Sequence, residues 1–116
     1  MEDRLQFHVE LVKATECAAV VDLEGDVDIY SAPQFKDVLL QGIEEGAQRI
    51  IVDLAKVTFI DSSGLGVLVS GAKRVRRHKG TLDIVCCDEN IARILEITGL
   101  DRIFAIYRTR EEALQV

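Results

Sequence analysis

The chain has 116 residues, 48% of them hydrophobic, so it can build one domain with a core of its own. Its net charge of -6 disfavours nucleic-acid binding, which depends on lysine and arginine contacts to phosphates. No apolar run approaches the ~20 residues that cross a bilayer, and the opening residues MEDR do not resemble a secretory signal. We therefore expect a cytoplasmic protein, one domain over residues 1–116, with no nucleic-acid or membrane partner.

Two strands are predicted at the start of the chain. Residues 5–12 alternate apolar and polar side chains, which is typical of a half-buried strand. Residues 17–23 form a second apolar run after a short link, so the two strands should pair as a hairpin. Residues 24–30 break this pattern and predict a loop with room for one short strand.

A first helix is predicted after this loop. Ser31 is placed to cap it, Pro33 fits its first turn, and Gln34 completes a capping box with Ser31. Apolar residues recur at helical spacing over residues 35–43, and Gly46 ends the helix. One face of this helix should therefore pack on the sheet.

Strands and helices then alternate to the end of the chain. Consecutive β-branched or apolar residues predict three more strands, at residues 49–54, 82–86 and 103–107. Between them, a helix runs from near Ser62 to about Lys79, and another is capped by Asp88. Thr109 and Glu112 form a second capping box, which predicts a last helical turn or two.

This order of elements predicts an α/β fold. Strands that alternate with helices pair in parallel through crossover connections, and the opening hairpin adds an antiparallel edge. We expect a mixed sheet of four to six strands, with the antiparallel edge at the N-terminus and about four helices packed mainly on one face.

The cysteines do not indicate a metal site. The chain has an odd number of cysteines, Cys17, Cys86 and Cys87, and their spacing is not C-x-x-C. The two histidines, His8 and His78, lie far from them in sequence. Adjacent cysteines cannot form an unstrained bridge. Buried thiols within strands are the simpler interpretation, and a redox role for Cys86 or Cys87 is the alternative. We expect no metal and no cofactor.

A basic run occupies residues 73–79, within which Val75 continues the apolar stripe of the predicted helix. One interpretation is a solvated helix face whose cations lie near a helix C-terminus, where the macrodipole favours them. The other is a docking surface for an acidic partner.

The turn from Asp61 to Gly66 is the strongest candidate for a functional site. It lies where a strand precedes a helix, and α/β sheets place their sites at the carboxyl ends of strands. Gly64 and Gly66 leave the first helical turn uncrowded, so that a partner could approach. Free N–H groups and the helix dipole would tolerate a phosphate on Ser62 or Ser63.

The residues of this turn also allow other interpretations. Ser62 or Ser63 could be a plain N-cap, and the turn alone does not decide between a cap and a regulatory site. The turn lacks the G-x-S-x-G of a nucleophile elbow and the glycine-lysine pattern of a P-loop. A small hydrolase or phosphoryl-transfer enzyme acting through Ser62 lacks a plausible base.

Three motifs carry a resemblance that covers essentially the whole chain. Residues 59–68, FIDSSGLGVL, resemble the signature of STAS-domain anti-sigma factor antagonists. Residues 25–33, GDVDIYSAP, are similar to the family's second motif, and residues 97–104, ITGLDRIF, are similar to its C-terminal pattern. Residues 73–76 and 82–86 resemble in particular the BldG-like antagonists of actinomycetes.

The resemblance implies a regulatory protein rather than an enzyme. In such proteins the unphosphorylated form binds an anti-sigma factor, itself a serine kinase of the GHKL type, and so frees a sigma factor. The kinase phosphorylates the antagonist and releases it, and a PP2C-like phosphatase restores it. The acceptor is the serine after the motif's aspartate, here Ser62, with Ser63 the less favoured neighbour.

The resemblance also implies a partner-binding surface. It comprises Asp26, Asp28, Tyr30, Ser31, Asp61, Ser62, Ser63, Gly64, Leu65 and Gly66. Phosphorylation at Ser62 would abolish binding there, since a dianion beside Asp61 and Asp28 is costly to bury. The alternative within the same fold is a non-switching STAS interaction module, of the kind found in stress-sensing scaffolds and lipid-transport complexes.

Overall fold

An antiparallel hairpin opens the sheet. In the computed structural model, which describes residues 7–115, β1 (His8–Lys13) pairs with β2 (Ala18–Val27) from His8↔Glu24 to Lys13↔Ala19. The predicted hairpin is confirmed, although Leu5 and Gln6 of the predicted first strand lie outside the described residues.

The remaining strands pair in parallel. They are β3 (Arg49–Ile60), β4 (Thr81–Val85) and β5 (Ile106–Tyr107). Within residues 7–115 the sheet has five strands in the order β1-β2-β3-β4-β5, and only the β1–β2 pairing is antiparallel. The expected mixed α/β sheet with an antiparallel N-terminal edge is therefore confirmed.

Helices cover the two faces of the sheet unequally. The helices are α1 (Ala32–Glu44), α2 (Ser62–Arg77), α3 (Glu89–Ile97) and α4 (Arg110–Leu114). The first three contribute to one large core with the sheet, whereas α4 covers a small cluster of Val20, Ile51, Val85 and Ala113 on the other face. Packing mainly on one face is as predicted.

Strands β2 and β3 both extend further towards the C-terminus than the sequence predicted. The short strand that was allowed within the predicted loop over residues 24–30 is present as a continuation of β2, because Glu24 to Val27 pairs in parallel with Lys56 to Ile60. The pairing has two irregularities, between Asp22 and Glu24 and between Gly25 and Asp26. Such bulges let polar and glycine residues remain in a strand that local preference alone would end.

The predicted strand over residues 103–107 is also too long. Residues Leu100–Arg102 form a 3-10 helix after Gly99, whose φ of 79° suits glycine. Phe104 turns into the core and is 5% exposed. Only Ile106–Tyr107 pairs with β4, since the chain first has to bury Phe104.

The predicted caps of the last two helices are confirmed, with one difference in detail. Asp88 accepts a hydrogen bond from the Ile91 amide at 3.4 Å. Thr109 Oγ1 accepts one from the Glu112 amide at 3.1 Å, while the Glu112 carboxylate accepts the amide of Arg108 rather than that of Thr109. Both caps satisfy amides that the first helical turn leaves free.

An ion cluster ties α4 to the sheet. Arg110 Nη2 lies 2.9 Å from Asp53 Oδ2 on β3 and 3.3 Å from Asp22 Oδ1 on β2. Burial by itself would lower the pKa of Arg110, but the hydrogen bond and charge of Asp53, followed by those of Asp22, outweigh it and raise the pKa. The guanidinium thus fixes α4 across two strands.

No helix within residues 7–115 has the length and apolar character needed to cross a membrane.

Candidate functional site

Asp61 caps the helix that follows β3. Its carboxylate oxygen Oδ1 accepts hydrogen bonds from the amides of Ser63 at 2.8 Å and Gly64 at 3.3 Å. The backbone of Asp61 is extended, with φ -109° and ψ -171°, as expected of an N-cap residue. The interpretation of Ser62 or Ser63 as the N-cap is therefore wrong, because the preceding aspartate already fills that role.

The hydroxyl of Ser62 is therefore not needed to cap α2. It is the first residue of α2 and is exposed, whereas Ser63 and Leu65 are only half-exposed. Its hydroxyl has no hydrogen-bond partner among the side chains and backbone groups of residues 7–115. Ser62 is the more accessible of the two candidate serines.

The loop after β2 is held by hydrogen bonds of its own. Asp28 Oδ1 accepts the amides of Tyr30 at 2.9 Å and Ser31 at 3.1 Å. Ser31 is 6% exposed; its hydroxyl donates to the carbonyl of Asp26 at 2.8 Å and accepts the amide of Asp28 at 2.9 Å. These bonds give the loop one defined conformation.

The predicted capping box at the start of α1 is thereby wrong. Ser31 occupies the N-cap position, but its side chain makes no capping hydrogen bond, and Gln34 is exposed. The hydroxyl of Ser31 is already engaged by the loop, and Asp28 binds the nearby amides. Ser31 therefore acts as a buried support for the loop that carries Asp28 and Tyr30.

The two segments meet at the carboxyl ends of adjacent parallel strands. Val27 pairs with Ile60, and the amide of Asp61 donates to the carbonyl of Val27 at 3.1 Å. Thr58 Oγ1 donates to Asp26 Oδ1 at 2.7 Å and adds a side-chain link. All ten residues of the predicted partner-binding surface therefore lie on two neighbouring segments at one edge of the sheet, the edge formed by the carboxyl ends of β2 and β3.

The two glycines of the turn have different surroundings. Gly64 is buried, and a Cβ there would lie 2.7 Å from Val27 Cγ1 and 2.8 Å from Ile60 Cγ1. Gly66 is exposed, and a Cβ there would meet nothing within 4 Å. The expectation that both keep the surface open is wrong for Gly64, which allows α2 to pack closely on β2 and β3.

The amides at the start of α2 are less available to an anion than expected. Asp61 already binds those of Ser63 and Gly64, and the amide of Leu65 donates to the Asp61 carbonyl. A phosphate on Ser62 would gain from the helix dipole but would lie beside the carboxylate of Asp61. It would therefore project as surface charge rather than fold into the turn.

Exposed apolar side chains flank the two segments. Tyr30 is 89% exposed, Ile29 64% and Phe59 48%. Sequence reasoning named Tyr30 but missed Ile29 and Phe59, and it missed a groove of about 870 Å³ whose lining includes Tyr30 and Lys56. The signal in the sequence was the adjacent pair Ile29 and Tyr30 in an otherwise polar loop, because exposed apolar side chains often mark an interaction surface.

Basic residues lie at the opposite end of α2. At ~1.5 Å per residue, Lys73 and Arg77 lie about 18 Å and about 24 Å from Asp61 along the helix axis. Val75 is buried at 1% exposure and its basic neighbours are exposed, as the helical pattern predicted. This basic end does not contribute to the surface around Ser62.

The three thiols differ in exposure. Cys86 is buried next to β4, whereas Cys17 and Cys87 are exposed, so the expectation of three buried thiols is wrong for two of them. Burial raises the pKa of Cys86 above 9.0, a shift that its hydrogen bond to the backbone of Asp88 opposes. Within residues 7–115, no group of three acidic, histidine or cysteine side chains could hold a metal ion.

Comparison with known proteins gives a consistent family. The family model described as STAS domain matches residues 8–113. An anti-sigma-B factor antagonist of Bacillus subtilis (strain 168) is 36% identical over 104 residues, which cover 90% of this chain and 94% of the relative.

Solved structures match the fold closely. The crystal structure of an anti-sigma factor antagonist from Mycobacterium paratuberculosis has a TM-score of 0.85 at 24% identity and covers 94% of this chain and 92% of its own. The Bacillus cell fate determinant SpoIIAA in its phosphorylated form has a TM-score of 0.74 at 23% identity, with coverage of 93% and 97%. Because both structures are less than 25% identical to this chain, they support its fold alone.

Proposed function

Because this chain belongs to the STAS domain family, we propose that it is an anti-sigma factor antagonist regulated by phosphorylation of Ser62. The observation that carries the assignment to Ser62 is the capping bond of Asp61, which leaves the next serine exposed and its hydroxyl unengaged within the described chain. The named relative, an anti-sigma-B factor antagonist of similar length, supports the general role.

The partner-binding surface is the edge formed by the Ser62 turn and the loop after β2. Tyr30 and Phe59 supply exposed apolar area, and the carboxylates of Asp26 and Asp28 supply charge. Both segments are fixed by backbone hydrogen bonds, so little ordering is needed on binding. We assign the anti-sigma factor as the partner of this edge.

Phosphorylation acts on the interface and leaves the fold unchanged. A serine kinase of the GHKL type transfers the γ-phosphoryl group of ATP to Ser62 Oγ, which loses its proton, and ADP leaves. The product carries about -1.5 to -2 charges directly beside the carboxylate of Asp61. Burying that dianion in the interface without a counter-ion is unfavourable, so the complex dissociates.

The antagonist itself carries out no reaction in this scheme. A PP2C-like phosphatase hydrolyses the phosphoserine and returns the hydroxyl and inorganic phosphate. Both reactions take place in the cytoplasm, where the sigma factor is released for transcription. The whole of residues 1–116 acts as one domain in this role.

Mass spectrometry after incubation with the organism's own anti-sigma factor kinase and ATP tests the site. We expect a single phosphate on Ser62 in the wild type and none in Ser62→Ala. Modification confined to Ser63 in both proteins would overturn the assignment. A Ser63→Ala variant is the matched control, since it removes the neighbouring hydroxyl and should leave phosphorylation intact.

A further inference from the structure

A second charged surface lies at the far end of α2. It consists of the side chains of Lys73, Arg74, Arg76, Arg77, His78 and Lys79, all of them exposed. Within residues 7–115, none of the six forms an ion pair. The acidic residues Asp26, Asp28 and Asp61 lie at the opposite end of the helix.

A groove runs beside this basic end, between the C-terminal ends of α1 and α2. Its volume is about 500 Å³. The side from α1 and its following turn carries the apolar Leu40 and Ala47 together with Glu44, and the side from α2 is basic, with Arg74 and Arg77. It therefore combines an apolar wall with a cationic rim.

The simplest account of the cations is that they complement the dipole of α2. That account requires only about half an elementary charge at the helix end, whereas five lysines and arginines cluster there. It also does not explain why Leu40 and Ala47 line an open groove next to them, both half-buried.

From these features we infer that the groove between α1 and α2 docks an acidic polypeptide segment that carries aliphatic side chains. Carboxylates of the segment pair with Arg74 and Arg77, and an aliphatic side chain packs on Leu40 and Ala47. The charge of the surface selects an anion, and the apolar wall selects a protein over a nucleic acid.

This surface is independent of the proposed phosphoswitch. Arg74 and Arg77 lie about 18 Å and about 22 Å from Ser62 along α2, so a partner bound at the Ser62 edge leaves them accessible. The two sites can therefore hold different partners at the same time, or distant parts of one large partner.

Binding of a synthetic peptide to the full chain tests the inference. The probe is a fluorescently labelled peptide of glutamates with two leucines spaced one helical turn apart. We expect saturable binding that weakens about tenfold when salt screens the charges. The peptide should shift NMR signals of residues around Leu40, Ala47 and Arg77, and should leave those around Ser62 unchanged.

Charge-reversal variants locate the site. Arg74→Glu combined with Arg77→Glu should weaken peptide binding about tenfold, whereas Arg93→Glu with Arg102→Glu, two exposed arginines of α3 and the 3-10 helix, should not. Because reversed charge at a helix end can destabilise it, Arg74→Gln with Arg77→Gln provides a gentler variant that should weaken binding in the same direction.

Several outcomes would overturn the inference. No saturable binding, or binding equally affected by the variants of α3, would remove the groove as its site. Equal binding of a peptide with the leucines replaced by serine would remove the apolar wall. Tighter binding of RNA or of vesicles containing phosphatidylglycerol would assign the surface to those ligands. Ser62→Asp should leave peptide affinity unchanged, which separates this test from that of the phosphoswitch.

Discussion

The amide of Asp61 donates a hydrogen bond of 3.1 Å to the carbonyl of Val27, and this bond joins the two segments of the candidate site. Asp61 also caps α2 through its carboxylate. One residue thus connects the loop after β2, the end of β3 and the helix that begins with Ser62. The position of Ser62 relative to Asp28 and Tyr30 follows from these bonds.

Replacement of Asp61 should weaken the start of α2. In Asp61→Ala the amides of Ser63 and Gly64 lose their acceptor, and we expect a loss of about 1 kcal/mol in the free energy of unfolding. Urea denaturation followed by circular dichroism measures it. Asp61→Asn is the control, because it keeps the acceptor and should cost only a few tenths of that. Equal losses for the two variants would show that the cap is not the cause.

The glycines of the turn offer a matched pair. Gly64→Ala places a methyl group 2.7 Å from Val27 Cγ1, so we expect it to cost about 1–3 kcal/mol of stability. Gly66→Ala meets open space and should stabilise α2 by up to about 1 kcal/mol. Thermal and urea unfolding of both variants would check this. A Gly64→Ala protein as stable as the wild type would contradict the close packing.

Gly66→Ala also probes the surface itself. If a partner approaches α2 closely at this position, the added methyl group should weaken binding of the anti-sigma factor although it stabilises the free protein. Isothermal titration calorimetry separates these two effects. Unchanged affinity would remove Gly66 from the interface.

The ion cluster of α4 should contribute measurably to stability. Arg110→Met leaves Asp53, which is 6% exposed, without its cationic partner, and we expect a loss of about 2 kcal/mol. The second variant, Arg110→Met with Asp53→Asn, should recover part of that loss, since the buried residue 53 then carries no unpaired charge. A double-mutant cycle in urea provides the measurement. Losses that simply add would contradict direct coupling of the two side chains.

Thiol labelling should distinguish the cysteines. In the native protein at mildly alkaline pH, iodoacetamide should modify Cys17 and Cys87 and spare Cys86, which is buried and has a raised pKa. All three should react after denaturation, which is the control. Rapid native labelling of Cys86 would contradict its burial and would reopen the redox interpretation.

The same thiol predicts a trend in stability with pH. Burial raises the pKa of the Cys86 thiol in the folded state above its ordinary value of 9.0, at which the thiol of the unfolded chain is half deprotonated. Because the folded state then binds more protons than the unfolded one, stability should fall as pH rises through and above that value. Cys86→Ala should show a smaller decline in urea denaturation between neutral and alkaline pH. An identical pH profile would contradict the shift.

Local sequence patterns predicted most elements, and failed where distant residues decide the outcome. The alternation of strands and helices was visible because each apolar stripe is a local property. The extension of β2 through Glu24 and Gly25 was not, because those residues do not favour strands and are held there by pairing with β3. The capping box of Ser31 failed because Asp28 and Asp26 compete for the same groups.

The candidate site shows the same division. The turn from Asp61 to Gly66 was recognisable because its residues are contiguous. Its contact with the loop after β2 depends on the Val27↔Ile60 register, which two bulges set and no local pattern encodes. The separate roles of Gly64 and Gly66 likewise depend on how α2 packs against the strands.

The affinity of the anti-sigma factor for four forms of the protein tests the central claim most directly. The forms are the wild type, Ser62→Ala, Ser62→Asp and Ser70→Asp, where Ser70 is an exposed serine two turns along the same helix. We predict that the wild type, Ser62→Ala and Ser70→Asp bind alike, and that Ser62→Asp binds at least about tenfold more weakly, a loss of about 1.4 kcal/mol. Equal affinity of all four forms would contradict the phosphoswitch and would favour a non-switching interaction module.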